Sequence, residues 1–274
     1  MRRPFRQIDV FTATPYRGNP VAVVLEGAGV STEEMQRFAH WTNLSETTFV
    51  LPPEDDRADY RVRIFTPVAE LPFAGHPTLG TCHAWREHTG RDQDTVVQEC
   101  GAGLVTVRET QNGLAFGAPP RLRSGPVDDA LAERVAAMLG LERAAIADLA
   151  HADNGPGWIA VLLDSADAVL ALTPRFDELD VGVAGPHPAG GEPALEVRAF
   201  FPKDGAVVED PVTGSLNASL AQWLLETGRA TAPYVARQGT ALGRDGRVHV
   251  TRDDDGAVWV GGGTVTCVAG YVEL

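Results

Sequence analysis

Val62-Arg-Ile-Phe-Thr-Pro67 and Val197-Arg-Ala-Phe-Phe-Pro202 are one phrase written twice in a chain of 274 residues. Arg63 with Arg198, Phe65 with Phe200 and Pro67 with Pro202 share an offset of 135 residues; Pro72 with Pro211 and Gly75 with Gly214 share one of 139. A single insertion of about four residues reconciles the two registers. Each copy runs in the same order, with an extended apolar run, a loop punctuated by Gly and Pro, and then a helical segment. A strand, loop and helix unit that occurs twice implies an old duplication, and hence two similar α/β lobes facing one another.

Working outward, Gln7–Thr12, Val21–Leu25, Thr47–Leu51 and Tyr60–Phe65 read as extended. Ser31 and Glu34 make a capping box, with Met35, Phe38 and Ala39 on one apolar face, so a helix is expected from Ser31. The apolar segment Thr78–Trp85 should be helical. Thr95–Gln98, Leu104–Arg108 and Leu114–Gly117 read as a meander, with Asn112-Gly113 as a hairpin turn. Val127–Leu139 is a second amphipathic helix, stopped by Gly140. The pattern then restarts with a strand at Trp158–Leu163, a short helix from Ser165, a strand at Leu195–Phe201, a helix at Leu216–Glu226 and a turn at Asp255-Gly256. The Gly and Pro content of Ala184–Pro193 predicts disorder there.

Bulk properties exclude several classes. A formal charge of -14 argues against nucleic acid or an anionic membrane as partner, since both require a basic face. Cys82, Cys100 and Cys267 are odd in number and widely spaced, which fits a reducing cytoplasm better than a disulfide framework. The N-terminal residues enter a strand-like run directly, without the apolar stretch of a signal peptide or membrane span. A soluble, cytoplasmic protein is expected.

Both matched loops end in Gly followed by a polar residue where a helix should begin, Gly75-His76 and Gly214-Ser215. Free backbone N–H groups and the positive end of the helix dipole collect there, which makes each start a natural seat for an anion such as a carboxylate. Ordinary capped helix starts would read the same way; the duplication is what favours the seat. Glu46, in Asn43-Leu-Ser-Glu-Thr-Thr-Phe-Val50, is the carboxylate to examine first, because a Glu beside Leu44, Phe49 and Val50 can be desolvated and so tuned for general acid/base work. Glu209 and Asp210 are adjacent on an extended stretch, so only one of them can face the cleft. His76 suits a proton relay as well as it suits a helix start. The spacing of His76, Cys82, His83 and His88 does not make a metal site, and no phosphate loop or nucleophile elbow occurs.

Four stretches resemble the PhzF family of phenazine-biosynthesis isomerases, relatives by fold of diaminopimelate epimerase. They are Arg17-Gly-Asn-Pro-Val-Ala-Val-Val24, the Asn43–Val50 segment, Arg63-Ile-Phe-Thr-Pro67 with Glu70-Leu-Pro-Phe-Ala-Gly-His-Pro77, and Val208-Glu-Asp-Pro-Val-Thr-Gly-Ser215. The resemblance implies an α+β fold of two pseudo-symmetric lobes, each a β-barrel-like sheet around a central helix. The lobes would span residues 1–122, with the C-terminal strand completing that one, and 123–274, with the active site in the cleft between them and a homodimer as the usual assembly. It implies a glutamate at Glu46 that removes a proton from one carbon of a dihydro-hydroxyanthranilate ring and returns it to another. His76 and Asp210 would assist, and Ser45, Gly75, Gly214 and Ser215 would hold the carboxylate of a small-molecule substrate. Neither cofactor nor metal is implied.

Diaminopimelate epimerase-like racemases use two cysteines as bases, and here neither matched loop has one. The remaining alternatives are an amino-acid epimerase working with Glu46 and Asp210, and a binding homologue that has lost turnover.

Overall fold

The computed structural model describes residues 1–274. The chain divides into two compact units, one made of Met1–Gly117 with Gly261–Leu274, the other of Ala118–Val260.

The first unit contains β1 (Arg2–Val10), β2 (Asn19–Val24), α1 (Thr32–Thr42), β3 (Glu46–Leu51), β4 (Tyr60–Phe65), β5 (Glu70–Leu71), α2 (Gly75–Thr89), β6 (Thr95–Cys100), β7 (Gly103–Thr110) and β8 (Gly113–Gly117). The second contains β9 (Arg123–Pro126), α3 (Asp129–Leu139), β10 (Asp148–Asp153), β11 (Ile159–Leu162), α4 (Ala166–Leu170), β12 (Val181–Pro186), β13 (Leu195–Lys203), β14 (Ala206–Asp210), α5 (Gly214–Glu226), β15 (Tyr234–Gln238) and β16 (Gly246–Arg252). After β17 (Val258–Gly262), the last strand, β18 (Thr264–Glu273), returns to the first unit and pairs antiparallel with β1.

The duplication holds at the level of strand pairing. In the first unit β1–β2 is antiparallel, β2–β3 parallel, β3–β4 and β4–β5 antiparallel, β4–β6 parallel and β6–β7 antiparallel. The second repeats that series with β10–β11, β11–β12, β12–β13, β13–β14, β13–β15 and β15–β16. A helix fills the crossover in each parallel β2–β3 type pair, α1 in one unit and α4 in the other, because parallel neighbours cannot be joined by a tight turn.

Each unit wraps its sheet around one central helix. Ten of the fifteen residues of α2 are buried, His76 through Cys82 without a break, since strands β1, β2, β3, β6, β7, β8 and β18 all pack on it. A helix surrounded in this way needs no polar face. Helix and sheet come close where side chains are absent: a Cβ on Gly80 would lie 2.3 Å from Val21 Cγ1, and one on Gly182 would lie 2.1 Å from Leu216 Cδ1 at the first turn of α5. The amphipathic α1 packs on the other face of the first sheet, over Val24, Phe49 and Phe65. Its capping box at Ser31 and Glu34 is formed.

The ion pair in the copied hairpins is duplicated too. Arg63 on β4 grips Glu70 on β5, and Arg198 on β13 grips Glu209 on β14, each through two guanidinium nitrogens. The hairpin between β7 and β8 closes through Gln111 and Asn112, with Gly113 at φ 107°. One expectation is corrected. Ala184 to Pro186 are not disordered but end β12, which is paired on one side with β11 and on the other with β13. Two ladders of backbone hydrogen bonds outweigh the loop-like Gly and Pro composition.

Candidate active site

Glu46 opens β3, and His76 is the second residue of α2. On a strand alternate residues share a face, so Glu46 lies on the side of Thr48, whose hydroxyl is 2.8 Å from that of Thr81 on α2. Phe49 points the other way, into the cluster under α1. Glu46 therefore shares its face of β3 with Thr48 and Val50, on the side of the central helix, and of the apolar neighbours named from the sequence Phe49 is on the opposite face. Its side chain retains 16% of its exposure, and Oε2 is 3.3 Å from His76 Nε2.

His76 is buried, and burial pushes its imidazole down to about 3, with the Pro20 carbonyl only partly offsetting the effect. The ring is therefore neutral at physiological pH, and its contact with Glu46 is a close approach of two polar atoms rather than an ion pair. Asn19 Nδ2, at the start of β2, is 3.5 Å from His76 Nδ1. If the Asn19 amide donates to Nδ1, the ring proton sits on Nε2 and points at Glu46. Ser45 precedes Glu46 and is exposed.

The second unit carries its own set. Glu209 is bound by Arg198, with both side chains nine-tenths buried. Asp210 Oδ2 accepts from the Thr213 hydroxyl at 2.6 Å. At the start of α5, Trp158 Nε1 donates to Ser215 Oγ at 3.0 Å and Asn154 Nδ2 donates to the Ser215 carbonyl at 2.8 Å. An indole N–H can only donate, so Ser215 Oγ accepts it and keeps its own proton as a donor for a ligand.

Helix ends distinguish the two matched loops from the rest. α1, α3 and α4 are each capped by a side chain, from Ser31, Asp128 and Ser165. The N-termini of α2 and α5 have no side-chain cap and no acid in the first turn, and both begin on a buried glycine, Gly75 or Gly214. Uncapped N–H groups with a close backbone approach are what an anion seat requires. The structure thus brings Glu46, His76 and Gly75 together in one unit, and Asp210, Gly214 and Ser215 together in the other. Asn19, Trp158, Thr213 and Gln238, which hydrogen-bond to these residues, are not candidates in the sequence reading. Asn19 and Thr213 carried a faint signal, as polar residues beside otherwise apolar or glycine positions; Trp158 and Gln238 carried none.

Cys82 lies inside α2, and burial raises its thiol to about 12. A thiol so reluctant to ionise cannot serve as a base near neutrality.

A two-unit α+β fold with a half-buried carboxylate beside an uncapped helix start narrows the class of protein, and comparison with known proteins gives the family. The sequence model of the family described as phenazine biosynthesis-like protein, PhzC-PhzF, matches residues 8–270, and the chain belongs to that family. It is 38% identical over 262 residues to trans-2,3-dihydro-3-hydroxyanthranilate isomerase of Pseudomonas aeruginosa, covering 91% of this chain and 90% of the relative. It is 36% identical to antisense-enhancing sequence 1 of Schizosaccharomyces pombe, covering 97% of each. The crystal structure of a Bacillus anthracis phenazine biosynthesis protein of the PhzF family superposes with a TM-score of 0.84 at 24% identity, over the whole of both chains, which shows the fold. The protein is an isomerase. No helix is long and apolar enough to cross a membrane.

Proposed function

We propose that this isomerase moves a proton between carbons of a carboxylated cyclic substrate, of the kind named for its relatives, trans-2,3-dihydro-3-hydroxyanthranilate, by general acid/base catalysis without a cofactor. The single observation that carries the reading is the contact between Glu46 and a buried, neutral His76. Glu46 takes the proton from one ring carbon, leaving a delocalised anion, and the same carboxyl delivers it to another carbon, so no redox partner is needed. The product is an enol that tautomerises to the ketone. His76 exchanges a hydrogen bond with Glu46 as the proton comes and goes, and Asp210 assists proton movement. Ser45, Gly75, Gly214 and Ser215 hold the substrate carboxylate, through backbone N–H groups at the helix starts and the hydroxyls of the two serines.

The test is solvent-deuterium incorporation into that compound, followed by NMR. Wild-type protein dialysed against a chelator should exchange one ring proton and shift the double bond. Glu46→Gln should lose this by about 10²–10⁴-fold while still binding. Retained exchange in Glu46→Gln would remove Glu46 from the reaction, and a product differing only in the hand of one centre would mean epimerisation.

A further inference from the structure

Thr213 occupies the N-cap position of α5, where a threonine hydroxyl ordinarily accepts from a backbone N–H of the first turn. Here it makes no such bond. It donates instead to Asp210 Oδ2 at 2.6 Å, and the direction of that bond is dictated by a third residue, Gln238, at the end of β15.

Gln238 is fully buried, and each end of its amide faces a group of fixed character. Oε1 lies 3.0 Å from the backbone N of Thr213, which can only donate, and 2.8 Å from Asn217 Nδ2. Nε2 lies 3.1 Å from the backbone carbonyl of Asp210, which can only accept, and 2.9 Å from Thr213 Oγ1. Turning the amide over would set donor against donor and acceptor against acceptor. The Thr213 oxygen therefore accepts from Gln238, and its single proton goes to Asp210.

The first unit supplies an internal control. At the same offset that matches Gly75 to Gly214, Asp210 corresponds to Leu71 and Thr213 to Ala74. The copy without the acid also lacks the hydroxyl. Helix capping does not account for the difference, because neither Ala74 nor Thr213 caps its helix.

We infer that Gln238 and Thr213 are positioning residues for Asp210, forming a one-way hydrogen-bond chain that fixes the orientation of its carboxylate and holds it as a hydrogen-bond acceptor. The inference rests on the role given to Asp210 above. It does not require either residue to touch the substrate.

Four full-length variants separate the possibilities: Asp210→Asn, Thr213→Val, Thr213→Ser and Gln238→Met. Each is assayed for kcat and KM of deuterium exchange with trans-2,3-dihydro-3-hydroxyanthranilate, and for thermal unfolding. Thr213→Val keeps the shape of the side chain and should lose about 10–100-fold in kcat, the equivalent of one hydrogen bond to a charged group, with KM little changed. Thr213→Ser loses the methyl group but keeps the hydroxyl and should recover to within about threefold of wild type. Gln238→Met should resemble Thr213→Val in kcat at temperatures where it remains folded. If Asp210→Asn is inactive while Thr213→Val is as active as wild type, the chain has no positioning role. Were Val tolerated better than Ser, packing would be the explanation and the inference would fall. Full activity in Asp210→Asn would overturn the reading of Asp210 itself. A crystal structure of Thr213→Val supplies a readout that needs no turnover: the Asp210 carboxylate should rotate, and an unmoved carboxylate counts against the chain.

Discussion

His76 Nε2 and Glu46 Oε2 are 3.3 Å apart, and because burial keeps the imidazole uncharged the two residues do not form an ion pair. A charged histidine would hold Glu46 permanently ionised and would oppose its protonation during turnover. A neutral one leaves the carboxyl able to gain and lose a proton, which suits the role proposed for Glu46.

The same burial predicts an acid sensitivity. In the unfolded chain His76 titrates near 6.5, and in the native state near 3. Between those values the unfolded state binds the extra proton, so stability is fully present above pH 6.5 and falls as pH drops towards about 3. One proton gives a slope of about 1.4 kcal/mol per pH unit. Urea midpoints measured at pH 7, 6, 5 and 4 should fall more steeply for wild type than for His76→Gln; equal slopes would mean that the ring charges without cost.

The two copied ion pairs should differ in strength. Arg198 and Glu209 are 8% and 9% exposed, whereas Arg63 and Glu70 are 21% and 40% exposed. Arg198 also donates to the carbonyls of Val169 and Leu172. Breaking the buried pair with Glu209→Ala should cost about 3–5 kcal/mol, since it strands a buried guanidinium. Glu70→Ala should cost about 1 kcal/mol or less. Denaturant unfolding of the two variants gives the comparison directly.

Thiol chemistry should be dispensable. Native protein treated with a thiol reagent at pH 8 should leave Cys82 unlabelled, and unfolding in guanidinium should expose it. Cys82→Ala should keep deuterium exchange within about threefold of wild type, allowing for the small cavity it leaves. A large loss of exchange with normal stability would reinstate a thiol base.

Gly182→Ala should act at a distance from the chemistry. The added methyl would meet Leu216 Cδ1 at 2.1 Å and Cδ2 at 2.6 Å, next to Ser215 on α5. Overpacking of this kind costs about 1–3 kcal/mol. Because the residue displaced adjoins a proposed carboxylate seat, KM should rise more than kcat falls.

Much of the fold was readable in advance because duplication makes each copy evidence for the other. Ser31 with Glu34, the Asp128 to Gly140 helix and the strand Tyr60–Phe65 carry local signals that the tertiary structure leaves intact. The strands at Arg123–Pro126, Asp148–Asp153 and Tyr234–Gln238 were not read. They are short, and they owe their conformation to pairing with neighbouring strands rather than to their own residues. Glu46 was singled out for its apolar neighbours, of which Phe49 lies on the other face of β3 and Val50 on the same one. Trp158 and Gln238 were invisible for a different reason: an indole or an amide becomes informative only when the direction of each hydrogen bond can be followed, and direction is not written in sequence.

The last strand has a consequence for how the chain is made. β18 pairs with β1 along its length, from Arg2 with Glu273 to Val10 with Thr264, while the second unit occupies one unbroken run, Ala118–Val260. A ribosome therefore emits every residue of the second unit before the first has its closing strand. The unit begun earlier is finished later, and until translation passes Glu273 one edge of β1 stands open with its N–H and C=O groups unmatched. Messages cut short before codon 264 should yield nascent chains that hold a folded second unit and seek a foreign strand for the first.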